Sequence, residues 1–113
     1  MADWQSERRS RDERLDAGSK FAEGKMVAPD AATALLEALI RPGDRICLEG
    51  DNQKQADFLA ACLANADPKV LHDLHVVQSG IVLPEHIDLF EKGIAKKLDY
   101  SYSDRRATQY RGL

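Results

Sequence analysis

Two short polar segments contain the residues of this sequence that are best suited to bind a ligand. Residues 49–54 read Glu-Gly-Asp-Asn-Gln-Lys, and residues 78–80 read Gln-Ser-Gly. Gly50 lets a ligand approach the backbone closely, and free N–H groups at a following helix start favour an anion or a carbonyl oxygen. Asn52 and Gln53 add amide donors, and Lys54 can reach a phosphate. The candidate binding residues are therefore Gly50, Asn52, Gln53, Lys54, Ser79 and Gly80.

A purely structural interpretation of the first segment is also open, and on the pattern alone it is the simpler one. Gly50 would make a turn, Asn52 would cap a helix, and Gln53 and Lys54 would face water, since such caps are common. The segment matches neither G-x-G-x-x-G nor a Walker loop, so nucleotide binding has no specific support.

The remaining chemical residues form no catalytic set, so the catalytic residues stay unknown. His72 and His75 are separated by a loop-to-strand transition, and Glu85 and His86 are neighbours on a helix, where adjacent side chains do not face each other. Cys47 and Cys62 fit no metal spacing, and their apolar contexts predict that both are buried and reduced. The sequence predicts no metal site.

A strand–helix–strand unit positions the two polar segments. Pro42 and Gly43 end a helix, the apolar run Ile46–Leu48 follows, and a second strand is predicted at Leu74–Gln78. A helix beginning near Asn52 connects the two strands, as in a parallel β-α-β unit. Parallel strands point the same way, so the two polar segments are expected to be neighbours at the carboxyl edge of the sheet, where ligands bind in such folds.

The rest of the chain extends this unit into a small three-layer α/β fold with a mostly parallel sheet of three or four strands and flanking helices. Further strands are predicted at Met26–Ala28 and Leu98–Tyr102, and a further helix begins at Pro84. Both faces of such a sheet need helices, and an open edge favours a fragment of something larger or an obligate partner, with self-association also possible. The chain divides into a charged helical arm (1–24), the α/β segment (25–103) and an irregular tail (104–113). The arm is either a solvated helix or a surface that packs on another subunit or domain.

Composition restricts the class of protein. A net charge of -3 in 113 residues leaves no general basic face for nucleic acid, and no apolar run approaches the roughly 20 residues that span a bilayer. The start of the chain has no apolar signal core, so a cytoplasmic location is expected.

Several segments resemble the amino-terminal region of the malonate decarboxylase alpha subunit. They are LLEALIRPGDRICLEGDNQKQADFLA from Leu35, LHVVQS from Leu74, LPEHIDLFEKGIA from Leu83 and LDYSYS from Leu98. The resemblance covers residues 4–103, and the long run through G-D-N-Q-K-Q-A-D-F-L is its specific part.

The resemblance implies a CoA-transferase-like domain and an enzymatic role. Such a subunit is an acetyl-S-ACP:malonate ACP transferase, which exchanges acetyl for malonyl on an acyl carrier protein. It implies no directly bound cofactor, because the phosphoribosyl-dephospho-CoA group is carried by the acyl carrier protein (delta subunit). Beta and gamma subunits then decarboxylate the malonyl thioester. Gly50, Asn52, Gln53, Ser79 and Gly80 would line one wall of the thioester site.

Two departures from the family pattern matter for activity. The family usually reads G-N-N-Q where this chain has Asp51 after Gly50, and the added carboxylate is expected to weaken anion binding. The family subunit is several times longer, and nothing here aligns with the acyl-accepting glutamate in the later half of CoA-transferase relatives. The chain is therefore expected to be inactive alone, as a truncated or frame-altered product. A non-enzymatic interaction module and a segment of another CoA-transferase, of the acetate or citrate lyase type, are the alternatives.

Overall fold

A computed structural model of the chain describes residues 3–49, 56–78 and 84–100. Its helices are α1 (Trp4–Ser19), α2 (Ala32–Leu39), α3 (Asp57–Ala64) and α4 (Pro84–Glu91), and its strands are β1 (Arg45–Cys47), β2 (Leu74–Gln78) and β3 (Ala95–Tyr100). A single 3-10 turn, Pro29–Ala31, leads into α2.

The three strands form one parallel sheet in the order β1-β2-β3. Arg45 pairs with His75 and Cys47 with Val77, while on the other side of β2 Val76 pairs with Leu98. β1 and β2 are each followed by a helix that returns to the start of the next strand. Parallel crossovers are right-handed, and the strand order runs in one direction from β1 to β3, so α3 and α4 lie on the same face of the sheet. The two helices contact each other. The α/β fold with a parallel sheet and flanking helices is thus confirmed.

The hydrophobic core lies between this face of the sheet and the two crossover helices. Along β2 the fully buried positions alternate with half-buried ones, which directs Leu74 and Val76 to the helices. Partly buried side chains of α2 and of strands β1 and β3 close the margin of the core. The buried members of the cluster are Leu63, Ala64, Ala66, Leu71, Leu74, Val76, Leu89, Ile94 and Ala95.

The second face of the sheet is open to solvent in the described part of the chain. Arg45, Cys47, Lys97 and Asp99 are exposed on it, and His75 is half-buried between them. The prediction that Cys47 is buried is therefore wrong, because the pleat of β1 directs its side chain away from the helices. Cys62 is buried in α3, as predicted, and both thiols are free.

Helix α1 carries most of the charged arm and packs on α2. Asp3 caps it by accepting a hydrogen bond from the backbone N–H of Gln5 at 3.4 Å. Its sequence has no apolar stripe, and Gly18 is its one buried residue. The strand predicted at Met26–Ala28 is wrong: a single antiparallel bridge joins Glu23 to Met26 instead. Among the described helices, none has the length and apolarity to cross a membrane.

Candidate functional site

The carboxyl ends of β1 and β2 lie side by side. Cys47 is paired with Val77, and the backbone N–H of Leu48 donates to the carbonyl of Val77 at 3.1 Å. Glu49, two residues after β1, and Gln78, the last residue of β2, consequently sit at one edge of the sheet. This arrangement is the one that the sequence predicted for the two polar segments. The predicted binding residues themselves lie outside the described residues and stay a prediction: Gly50, Asn52, Gln53, Lys54, Ser79 and Gly80.

The chain on either side of residues 50–55 is fixed by a hydrogen bond. The backbone N–H of Ala56 donates to the carbonyl of Glu49 at 3.2 Å, so α3 begins where β1 finishes. Asp57 occupies the first turn of α3 and accepts from the backbone N–H of Phe58 at 2.8 Å. Because this carboxylate already uses one of the free donors and carries a negative charge, it lessens the attraction of that helix start for an anion.

Two buried polar side chains lie near the same edge, and sequence reasoning assigned a role to neither. Gln78 is 2% exposed and His86 is 0% exposed. Among the residues that the structure describes, no partner bonds to either side-chain polar atom of Gln78 or to either ring nitrogen of His86. Buried polar atoms without a partner are rare in native proteins, and each calls for an explanation.

The sequence did contain a signal for both residues. Gln78 continues the alternation of Leu74 and Val76 along β2, so it belongs to the helix-covered face and not to the turn that follows. His86 precedes Leu89 by three positions, which places both on one side of α4. Extending the apolar stripe of each element by one step would have found both side chains.

The protonation state of His86 follows from its surroundings. Burial lowers the pKa of His86 from its ordinary value of 6.5, and the adjacent Glu85 carboxylate opposes the shift. At neutral pH the imidazole is therefore uncharged, with one N–H donor and one acceptor nitrogen. Gln78 likewise offers donors and an acceptor without a net charge. The two side chains can donate to an uncharged oxygen, and neither carries a positive charge that would attract a phosphate.

A second set of polar side chains lies across the open face of the sheet and joins the strands to one another. Arg45 Nε donates to His75 Nδ1 at 3.3 Å, and His75 Nε2 lies 2.7 Å from a carboxylate oxygen of Asp99. Since Nδ1 accepts from the arginine, the N–H of His75 is on Nε2 and points at the carboxylate. The three side chains link all three strands, on the face opposite Gln78.

The three histidines considered in the sequence do not meet. His72 lies in the exposed turn before β2, where its ring bonds to Asp73, while His75 and His86 lie on opposite sides of the sheet. Among the described residues, no three His, Cys, Asp or Glu side chains are grouped as metal ligands would be.

Comparison with known proteins connects this chain to a family. A family model described as "Malonate decarboxylase, alpha subunit, transporter" matches residues 3–112. A curated relative, the acetyl-S-ACP:malonate ACP transferase of Malonomonas rubra, is 52% identical over 99 residues, which are 87% of this chain and 18% of that protein.

Two solved structures share the fold. The malonate decarboxylase alpha subunit of Acinetobacter baumannii superposes with a TM-score of 0.89 at 41% identity, over 95% of this chain and 20% of that one. A Pseudomonas malonate decarboxylase hetero-tetramer in complex with malonate gives a TM-score of 0.88 at 48% identity, over 94% and 19%. This chain therefore spans about a fifth of the length of the relatives that it matches.

Proposed function

The chain belongs to the malonate decarboxylase alpha subunit family, and we propose that it is the amino-terminal part of a subunit that exchanges acetyl for malonyl on an acyl carrier protein. The observation that carries the proposal is the family match over residues 3–112, together with the 52% identity to a transferase of that activity. In the exchange, malonate and an acetyl thioester become a malonyl thioester and acetate. The carbon–sulfur bond is broken and remade, and no oxidation occurs.

The geometry that supports this function is the shared edge of β1 and β2. The two strand ends are joined by the Leu48–Val77 hydrogen bond, and ligands of open parallel sheets bind at this edge. Gly50, Asn52, Gln53, Lys54, Ser79 and Gly80 follow these strand ends in the sequence. Backbone and amide donors there would stabilise the oxyanion that forms when a carboxylate attacks the thioester, a contribution of about 3–4 kcal/mol per donor in other acyl-transfer enzymes.

The acyl carrier protein is the proposed partner and substrate. It would deliver the acyl group on the thiol of its phosphoribosyl-dephospho-CoA arm, so the subunit itself needs no bound cofactor. A relative of this chain was solved within a hetero-tetramer. We therefore propose that beta and gamma subunits act next in the same cytoplasmic assembly and decarboxylate the malonyl thioester.

Exchange is proposed to need residues beyond this chain. The candidate donors would form one wall of the site, whereas the attacking carboxylate of CoA-transferase relatives lies in their later half. This chain covers only 18% of the length of its transferase relative. We expect the 113-residue chain to show no exchange by itself.

The test is an exchange assay on a full-length subunit that carries this sequence. The purified subunit is mixed with acetyl-carrier protein and labelled malonate, and the label on the carrier protein is followed. We expect malonyl-carrier protein to form with release of one acetate per transfer, and the 113-residue chain serves as the negative control. Transfer of citrate or another acid in place of malonate would instead identify a different CoA-transferase, and no transfer of any acid would favour a non-enzymatic module.

A further inference from the structure

Gln78 and His86 are buried polar residues whose side-chain polar atoms have no hydrogen-bond partner among the described residues. Their exposed fractions are 2% and 0%. Leaving such groups buried and unbonded is costly, and apolar residues of the same size would avoid the penalty. Because this cost is not avoided at either position, we expect the two side chains to have a function.

The topology brings the two residues to the same end of the same layer. Gln78 is the last residue of β2 and belongs to the face of the sheet that the helices cover. Residues 79–83 connect it to α4, which returns along that face towards the start of β3. The first turn of α4, with His86, is therefore at the end of the sheet where β2 finishes. That end also carries the Leu48–Val77 bond.

The core closes the layer on its inner side. Val76 lies two residues before Gln78 on the same face, and Leu89 lies one turn after His86, and both of these apolar side chains are fully buried. A ligand that avoids the core would thus approach the two polar residues from the carboxyl end of the sheet. This is the direction from which the thiol arm of a carrier protein would bring its acyl group.

We propose that Gln78 and His86 bind the carbonyl oxygen of the acyl thioester through their amide and imidazole N–H groups. The inference rests on the proposed function and assigns it two further residues. Uncharged donors match an uncharged carbonyl oxygen, and a water-excluded position strengthens their hydrogen bonds.

The bonds would strengthen further during the reaction. When a carboxylate oxygen bonds to the carbonyl carbon, the carbonyl electron pair moves onto its oxygen, where the two N–H groups stabilise it. The pair then re-forms the carbonyl as the carbon–sulfur bond breaks, which gives an acyl anhydride and the carrier thiolate. Atoms and charge balance, because one carboxylate is consumed and one thiolate is released.

The experiment uses the full-length subunit with acetyl-carrier protein. Gln78→Met and His86→Leu remove the donors at similar volume, His86→Gln retains one donor, and His75→Gln is the matched control on the opposite face of the sheet. For each variant, kcat/KM for acetyl transfer, thermal stability and the affinity for a ketone analogue of the thioester, with a methylene in place of sulfur, are measured.

We expect kcat/KM to fall at least about tenfold in each apolar variant, since single oxyanion donors contribute 10²–10³ in other enzymes. The affinity for the ketone should fall about fivefold, the size of one neutral hydrogen bond. Thermal stability should be unchanged or higher, because an unbonded buried group is removed. His86→Gln should retain more activity than His86→Leu, and His75→Gln should transfer at the wild-type rate.

The outcomes separate this inference from the proposed function. If the wild type transfers acetyl and both apolar variants do so equally well, the two residues are structural and the inference is wrong while the function stands. If the wild type transfers nothing but binds the ketone, and the variants lose that binding, the inference stands and the function falls. Loss of stability in parallel with activity in every variant, His86→Gln included, would also overturn the inference.

Discussion

Because His86 is buried, the free energy of unfolding depends on whether its imidazole ring is protonated. Its pKa is lowered from 6.5 in the folded chain, first by burial, whereas an unfolded chain exposes the ring and restores the ordinary value. Between the two pKa values the unfolded state binds more protons, so acid favours unfolding. We expect the free energy of unfolding to fall as the pH drops below about 6.5 and to recover above it.

Urea unfolding of the chain at pH 5, 6, 7 and 8 measures this dependence. His86→Gln has no titrating group at the position, and the part of the pH dependence that comes from His86 should disappear. The same acid sensitivity in wild type and His86→Gln would show that other groups cause it.

Asp44 connects α1 to the start of the sheet, and its loss should be costly. Its carboxylate accepts from Arg14 Nη1 at 2.6 Å and Nη2 at 3.4 Å, and from the backbone N–H of Arg41 at 2.8 Å. The Arg14 and Asp44 side chains are only 29% and 26% exposed, so water screens the pair less than a surface pair. We expect Asp44→Ala to lower the free energy of unfolding by about 1–3 kcal/mol.

A double-mutant cycle with Arg14→Met checks that the loss comes from this pair. The effects of Asp44→Ala and Arg14→Met should be non-additive, since both remove the two bonds between Arg14 and Asp44. Asp12→Ala is the matched control, because the Arg11–Asp12 pair is 3.7 Å apart and about two-thirds exposed, and it should cost less than about 0.5 kcal/mol. Equal losses at Asp44 and Asp12 would mean that the bridge to the sheet contributes little.

The sequence predicted a candidate site after two neighbouring strands, but the residue types alone did not indicate that polar side chains are buried near it. Glycine and amide residues after two apolar runs have a local signature, and the Cys47–Val77 pairing confirms that these strand ends meet. The spacing along β2 and α4 places Gln78 and His86 on the apolar sides of these elements, but how deeply they are buried depends on how far the helix layer extends over the ends of β2 and α4. Polar residue types at the end of an element usually indicate solvent, and here tertiary packing overrides that preference.

At the scale of elements, the sequence predicted best where a strand is hydrogen-bonded along both of its edges. β2 runs from Leu74 to Gln78 as predicted, since it is the central strand and is bonded on both sides. β1 was placed one residue late, and β3 begins at Ala95 rather than at Leu98. The charged residues Lys96 and Lys97 did not indicate a strand, so the start of β3 was missed. They can occupy strand positions because one face of the sheet is open to solvent.

The helix faces show why periodicity alone was not enough. The spacing of Leu59 and Leu63 places both on one side of α3. Leu59 is nevertheless 47% exposed, while Ala60 and Leu63 are buried. A short helix rich in alanine and leucine offers more than one apolar side, and contact with α4 decides which one is covered.

Gly18 sets how closely α1 approaches α2. A Cβ at this position would lie 2.7 Å from Leu39 Cδ2 and 3.2 Å from Leu35 Cδ1, well inside normal contact distance. Gly18→Val should therefore force the helices apart and lower the free energy of unfolding by about 1–3 kcal/mol. Gly18→Ala should cost less, because alanine gains about 1 kcal/mol over glycine in a helix and only the ends of leucine side chains must move.

Chemical denaturation of Gly18→Val and of Glu13→Val measures the effect of close packing. Glu13 lies on the exposed side of α1, so valine there changes helix propensity and touches no neighbour. We expect a loss below about 0.7 kcal/mol at Glu13. A loss at position 18 no larger than that at position 13 would indicate that α1 does not pack on α2 in solution.

At the scale of the whole molecule, the described residues cover one face of the sheet and leave the other face uncovered. Parallel sheets occur almost only with both faces covered. Here the second face presents Arg45, Cys47 and Lys97 to solvent. The related alpha subunit of known structure is about five times longer, since this chain covers 20% of it. These observations together predict that the second face is covered in a full-length subunit.

The reactivity of the two cysteines tests this prediction directly. Cys47 is exposed on the second face and Cys62 is buried in α3. In the 113-residue chain a thiol reagent should modify Cys47 at least about tenfold faster than Cys62, because access limits the reaction of a buried thiol. In a full-length subunit Cys47 should react as slowly as Cys62, while unfolding in denaturant should make both react quickly. Cys47→Ser identifies the fast phase by removing it, and a fast Cys47 in the full-length subunit would mean that this face of the sheet stays open there.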